Sequence, residues 1–187
     1  MRTVHDLLTL FLITQSRATN IPLFLIFEIM FYCLKHLELS LIPITITSLV
    51  LQYASFFAFG GSNAISSIDL SSAYNGIADY NVFLVGILTF ASNWAGPIYW
   101  VSASSSLLLQ LHRKGGNNVL YGYISLMTLF VATSLFFVMA ACTSLRTHLF
   151  IWTVFSPKYL YSMAWSSAQH LLVNIGLASL LFWAGRE

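Results

Sequence analysis

Ser40-Leu-Ile-Pro-Ile-Thr-Ile-Thr-Ser-Leu-Val-Leu-Gln-Tyr-Ala-Ser-Phe-Phe-Ala-Phe59 carries no charged residue and is long enough to cross a bilayer as one helix. Pro43 falls in its first turn, where a missing N–H leaves no hydrogen bond unmade. Gln52 and the Thr and Ser residues mark a face turned to other helices rather than to lipid. The rest of the chain has the same character. Of 187 residues, 58% are hydrophobic and 7% charged, with a mean hydropathy of +0.79, too little polar surface to cover a water-soluble globule. In hydrocarbon each spanning segment must satisfy its own backbone, and long Leu, Ile and Phe runs fit helices better than the short alternating strands of a barrel. The expected fold is all-α, a polytopic transmembrane helical bundle of about five to six spans.

Directly after this run comes a polar interlude, Phe59-Gly-Gly-Ser-Asn-Ala-Ile-Ser-Ser-Ile-Asp-Leu-Ser-Ser-Ala-Tyr-Asn-Gly-Ile-Ala-Asp79, around which the other segments are expected to be organised. Three glycines, seven Ser and Asn side chains and two carboxylates with no Lys or Arg beside them make it the expected docking place for a head group, a partner or another domain. Ser66-Ser-Ile-Asp69 has capping-box spacing, so a short helix from about Ser67 to Asn75, closed by Gly76, is expected. On that reading Asp69 neutralises free amides; on the other it meets a ligand. Asn63, Asp69 and Asn75 are the candidate contacts.

Upstream, residues 4–15 are too few to cross a core of about 30 Å and read as the tail of a helix whose beginning is missing. Asn20 stands before Ile21-Pro22 as an N-cap, and an apolar run follows to about Cys33. Glu28 sits in the middle of that run, where an ionisable group is expensive. It is either a functional group or a protonated or hydrogen-bonded structural one.

Downstream, residues 81–109 form a run too long for one untilted span, broken by Asn93-Trp-Ala-Gly-Pro97. Pro97 donates no hydrogen bond and crowds the Asn93 carbonyl, so a kink is expected, either lining a polar path with Asn93 or serving bundle geometry with Trp94, Tyr99 and Trp100 as packing or interfacial anchors. A basic turn, residues 112–118, precedes a continuous span from Val119 to about Leu145. The connector at 146–158 is amphipathic and expected in the interface, with Ser156 and Pro157 starting the last helix. His170 and Asn174, four apart on that helix, share a face suited to a hydrogen-bonded contact with another helix.

Eight basic and six acidic residues are scattered without a polybasic run, which argues against nucleic acid. Cys33 and Cys142 lie far apart in apolar runs and read as small buried hydrophobes rather than a disulfide or metal pair. No N-glycosylation acceptor and no cleaved signal is read in the chain. Arg2, Lys35, Arg113, Lys114 and Arg186 fall on one side of the expected bundle against Arg17, Arg146 and Lys158 on the other. The positive-inside tendency then puts the first group in the cytoplasm and the interlude in the lumen.

Three segments together, residues 57–76, Ser92-Asn-Trp-Ala-Gly-Pro-Ile-Tyr-Trp100 and residues 148–161, resemble the C-terminal membrane region of the GPI ethanolamine phosphate transferases, the fungal type 2 (PIG-G) branch in particular. Gln15 to Phe24 extends the resemblance over nearly the whole chain. It implies a multi-pass protein of the endoplasmic reticulum membrane whose enzyme moves ethanolamine phosphate from phosphatidylethanolamine to the second mannose of a GPI precursor. It also implies a PIG-F-like stabilising subunit as partner. In the family the chemistry belongs to an N-terminal, lumenal, alkaline-phosphatase-like domain with a two-metal, zinc-type site and a threonine nucleophile. That domain is absent from residues 1–187, which are expected to form a single membrane module.

The residues themselves agree with a module that does no chemistry. Three Asp and five His, most in separate connectors, do not furnish a two-metal site, and no Ser-His-Asp order, P-loop or glycine-rich phosphate cradle occurs. No catalytic residue, metal ligand or cofactor is therefore assigned to this chain, and alone it is expected to transfer nothing. Two other readings stay open: a free-standing structural subunit that stabilises partners, and a small transporter using Glu28, the Asn93 kink and His170, although no internal repeat supports the latter.

Overall fold

The computed structural model describes residues 2–61, 68–77, 79–145, 147 and 156–186, and every regular element among them is helical. In chain order these are α1 (Arg2–Gln15), α2 (Ile21–His36), α3 (Leu41–Ala58), α4 (Val82–Asn93), α5 (Ala95–Arg113), α6 (Val119–Ser144), α7 (Ser156–Gln169) and α8 (Ala178–Ala184). A π-helical stretch, His170–Leu177, joins α7 to α8, and 3-10 turns occupy Ala18–Asn20 and Ser71–Tyr74.

Four stretches are long and apolar enough to cross a membrane: Ala18–His36, Leu41–Ala58, Val119–Ser144 and Met163–Ala184. The pair α4 and α5 makes a fifth if it is counted as one broken span, bent by 73°. Among the described residues α1 is the exception to spanning length: 14 residues rise about 21 Å at 1.5 Å each. The chain is thus a multi-pass helical membrane bundle.

The centre of that bundle is α5, not the interlude. Ala95 to Ser105 is buried on every side without interruption, an environment reserved for a helix with neighbours all around. The other helices each offer it one stripe. From α2 come Phe24, Phe27 and Phe31, at spacings of three and four. From α3 come Ile44, Thr45, Ser48, Gln52, Ser55 and Phe56, the polar face anticipated from the sequence. Trp94, Tyr99 and Trp100 are all buried, so they pack rather than anchor the interface. Phe24, Phe27 and Phe59 gather around Tyr99 and Trp100, while Phe56 and Phe90 meet Trp94 and Trp165.

Local details depart from expectation where packing overrides sequence signals. Asn20 ends a 3-10 turn in a helical conformation and makes no side-chain cap. Asn81 instead caps α4, its Oδ1 accepting from the amides of Phe83 and Leu84 at 3.0 and 3.2 Å. The helix expected from Ser67 to Asn75 contracts to the single turn Ser71–Tyr74, with Gly76 at φ +86° just after it; Ser66 and Ser67 lie outside the described residues. Cys33 is exposed on the outer face of α2 beside Ile29 and Met30, not buried, and Cys142 is half-buried; both are free thiols. The expected interfacial connector falls mostly on residues outside those described.

The ends of the bundle separate the charges. At one end Lys114 pairs with Glu38, Arg113 donates to the carbonyl of Gly185 at 3.0 Å, and Gln110 reaches the carbonyl of Lys35 at 3.5 Å. At the other, Arg17 and the interlude meet. Lys35, Arg113, Lys114 and Arg186 therefore share an end, as the charge pattern suggested, while Arg146 lies outside the described residues.

Candidate functional site

The interlude is held to the bundle at two points. Asn93, the last residue of α4, clasps the backbone of Asp69: its Oδ1 accepts from the Asp69 amide at 2.8 Å and its Nδ2 donates to the Asp69 carbonyl at 2.8 Å. An amide side chain carries an acceptor and a donor side by side, which suits it to pair with both the N–H and the C=O of one residue. Asn75 makes the second point, donating to the carbonyl of Thr14 at 3.2 Å while its own carbonyl accepts from Gln15 at 3.4 Å. Both links close loops of 24 residues or more, so they fix the part of the interlude around Asp69 and Asn75 rather than decorate it.

Asp69 is not the lone carboxylate that its sequence neighbours suggest. Arg17 Nε, 52 residues away, donates to Oδ2 at 2.7 Å, and the amide and hydroxyl of Ser71 donate to Oδ1 at 3.0 and 2.7 Å. The Arg17 hydrogen bond is the largest influence on the acid and holds it well below the usual carboxylate range; partial burial opposes this and the Ser71 donors reinforce it. Its side chain is 23% exposed against 59% for Arg17, so the guanidinium is the accessible half of the pair. Ser16, Arg17, Asn20, Gly61, Asp69 and Asn93 line a small polar recess of about 60 Å³ there. Asn63 lies outside the described residues.

The other polar candidates do not converge on one path. Glu28 accepts from the Tyr99 hydroxyl at 2.8 Å and stands 3.7 Å from His5 Nε2. Asn93 is committed to the interlude at the end of α4. His170 meets the hydroxyl of Thr128 on α6 at 2.9 Å, the interhelical contact expected of its face, and Asn174 is buried on the same π-helical stretch. Beside them Gln169 donates to Gln52 at 3.1 Å, Gln52 to Ser48 at 3.0 Å, and Ser48 shares a 3.1 Å hydrogen bond with Tyr123. This chain of neutral polar groups ties α7, α3 and α6 together where water is scarce.

Two participants escaped the sequence reading. Arg17 counted only as a topological charge, and no local pattern relates it to a carboxylate 52 positions on. His5 counted as part of the N-terminal stretch, yet it is buried with Leu12 and Gln15 on one stripe of α1, and that helical spacing was readable. No group of three or more His, Cys, Asp or Glu able to hold a metal ion occurs among the described residues.

Known proteins resemble the chain over nearly its whole length. The family model for the GPI ethanolamine phosphate transferase membrane region matches residues 1–187. The chain is 57% identical over 171 residues to GPI ethanolamine phosphate transferase 2 of Aspergillus oryzae, covering 91% of this chain and 20% of that protein. To the proteins of the same name in Yarrowia lipolytica and Saccharomyces cerevisiae it is 39% and 36% identical, over 96% and 88% of its own length. It spans 20–25% of the length of these relatives. No solved structure matches it.

Proposed function

Since the chain belongs to the family of GPI ethanolamine phosphate transferase membrane regions, we propose that it is the membrane platform on which the transfer of ethanolamine phosphate from phosphatidylethanolamine to the second mannose of a GPI precursor takes place. Its helices make it a membrane part of a larger transferase of GPI-anchor biosynthesis. On this reading the bundle sits in the endoplasmic reticulum membrane, with the interlude lumenal and the end bearing Lys35, Arg113 and Lys114 cytoplasmic, following the positive-inside tendency. An N-terminal, alkaline-phosphatase-like domain with two metal ions supplies the chemistry above it, residues 1–187 form a single module that transfers nothing alone, and a PIG-F-like subunit packs on the helices.

The observation that carries the reading is the double anchorage of the interlude by Asn93 and Asn75. A polar stretch anchored at Asp69 and Asn75 on one end of a membrane bundle serves as a docking floor, since those positions are set before anything arrives. The bonding of Asp69 favours an interdomain role over head-group capture by this acid, because both its oxygens already accept from Arg17 and Ser71. Arg17, mostly exposed, is the described group that faces outward to meet the catalytic domain or a lipid phosphate.

The test is made in a full-length relative in cells lacking their own enzyme. Asp69→Ala and Asn75→Ala, at unchanged protein level, reduce transfer to the second mannose on this reading. Normal transfer by both variants would refute it. Co-purification of the full-length protein with the PIG-F-like subunit tests the partner independently.

A further inference from the structure

An open cavity of about 160 Å³ lies between α3, α6 and α7, with Trp94, at the bend between α4 and α5, as a further wall. Among the described residues its lining carries no charge. Phe56 stands two residues and Gln52 six before the end of α3 at Ala58, so this wall runs about 3–9 Å inside that end at 1.5 Å per residue. That is the depth at which hydrocarbon gives way to the interface.

The polar groups of the cavity divide into those already paired and those left open. Gln169 donates to Gln52, and Gln52 donates in turn to Ser48. The hydroxyls of Tyr53, Ser134 and Ser166 make no hydrogen bond among the described residues. Elsewhere on α6, Thr128, Thr133 and Thr143 return their hydroxyls to carbonyls one turn back, at 2.8, 2.7 and 2.9 Å; Ser134, on the cavity wall, does not. Trp94, 5% exposed, adds an indole N–H without an acceptor. Three hydroxyls and an indole N–H without partners suit an occupant with an oxygen that both accepts and donates. Beside them the rings of Phe56 and Trp94 lie 4.8 Å apart, inclined by 30°, and those of Trp94 and Trp165 lie 5.4 Å apart.

Uncharged walls give no counter-ion to a phosphate, ammonium or carboxylate, so phospholipid head groups do not suit the cavity. Its volume fits about one six-membered ring, since a cavity of about 150 Å³ takes up benzene. A flexible glycerol or acyl chain would lose rotamer freedom there, whereas a fused ring arrives already ordered. We propose that the cavity binds a membrane sterol, its first ring against Phe56 and Trp94 and its single hydroxyl among Tyr53, Ser134 and Ser166. The rest of the sterol, too large for the cavity, lies in the bilayer outside. The site takes neither lipid of the proposed transfer and stands independently of that reading.

The full chain, purified in detergent, is labelled with a photoactivatable cholesterol whose diazirine sits on the ring next to the one bearing the hydroxyl, and labelled peptides are identified by mass. Wild type is labelled within residues 52–56, 134–138 and 165–169. Excess cholesterol suppresses the labelling; epicholesterol, with its hydroxyl on the opposite ring face, and dioleoylglycerol compete about fivefold less well, the worth of one neutral hydrogen bond. Ser134→Ala combined with Ser166→Ala removes the advantage of cholesterol over epicholesterol, while Thr133→Ala, whose hydroxyl is engaged by the Leu129 carbonyl, preserves it. A second measurement needs no labelling: cholesterol raises the melting temperature of wild type in detergent more than epicholesterol does, and raises that of the double variant no more than epicholesterol does. Competable labelling elsewhere in the bundle, equal competition by the two epimers, stronger competition by dioleoylglycerol, or an undiminished epimer preference in the double variant overturns the proposal.

Discussion

Gly96 of α5 and Ser55 of α3 touch where any larger residue would collide: a Cβ on Gly96 would lie 2.6 Å from the Cβ and 2.7 Å from the Oγ of Ser55. Close approach of small residues is how membrane helices gain packing without a hydrophobic driving force between them. Gly96→Ala forces the two helices apart and costs about 1–3 kcal/mol, as overpacking does elsewhere. Thermal melting in detergent reads the loss, and Ser55→Gly in the same chain restores most of it. A Gly96→Ala protein that melts like wild type would show that this contact does not limit the packing.

Asn93→Ala removes both halves of the clasp on Asp69 and leaves its backbone N–H and C=O without these partners, a cost of about 1–3 kcal/mol. The loss is local. Limited proteolysis is expected to cut near the interlude many times faster in the variant, while the helices of the bundle stay protected.

The ion pair of Arg17 and Asp69 gives the interlude a pH dependence of definite sign. A carboxylate whose pKa is depressed on folding contributes its stability in full above its unfolded value near ~4 and loses it as pH falls toward the folded value. The difference in melting temperature between wild type and Asp69→Asn therefore stays constant from pH 7 to 5 and shrinks below about pH 4. With Arg17 mostly exposed, the pair is worth about 0.2–1 kcal/mol and weakens in high salt. A difference that grows on acidification would contradict the assignment.

Gln52 and Gln169 join α3 to the end of α7 through one hydrogen bond of 3.1 Å. A double-mutant cycle with Gln52→Leu and Gln169→Leu, read by unfolding in mixed micelles, should give a coupling of about 0.6 kcal/mol, up to ~1.7 for the strongest membrane cases. Additive single effects would mean that each glutamine acts through other neighbours.

The fold was largely readable because a membrane solvent imposes one demand on every span, and run length reports how it is met. The polar face of α3 followed from Gln52, Ser48 and Ser55 alone, and the bend after Asn93 followed from Pro97. What stayed hidden depended on contacts between distant elements. Nothing near Asp69 announces Arg17, and nothing in Asn93-Trp-Ala-Gly-Pro97 says that the amide turns toward a loop instead of a polar path. The central place of α5 was also missed: its serines lower its apolarity, yet Ser104 and Ser105 return their hydroxyls to the carbonyls of Trp100 and Val101, leaving a helix that can be buried on all sides. Glu28 was visible as an anomaly, whereas its partners His5 and Tyr99 came from two other helices.

The 73° elbow between α4 and α5 also has a mechanical meaning. Asn93 grips the interlude at the pivot itself, two residues before the first turn of the most enclosed helix in the bundle. A push on the interlude would reach α5 through two residues, and the stretch that receives it, Ala95 to Ser105, is buried on every side. A load borne outside the membrane is thus felt at its middle, where Tyr99, four residues past the elbow's end at Ala95, holds Glu28.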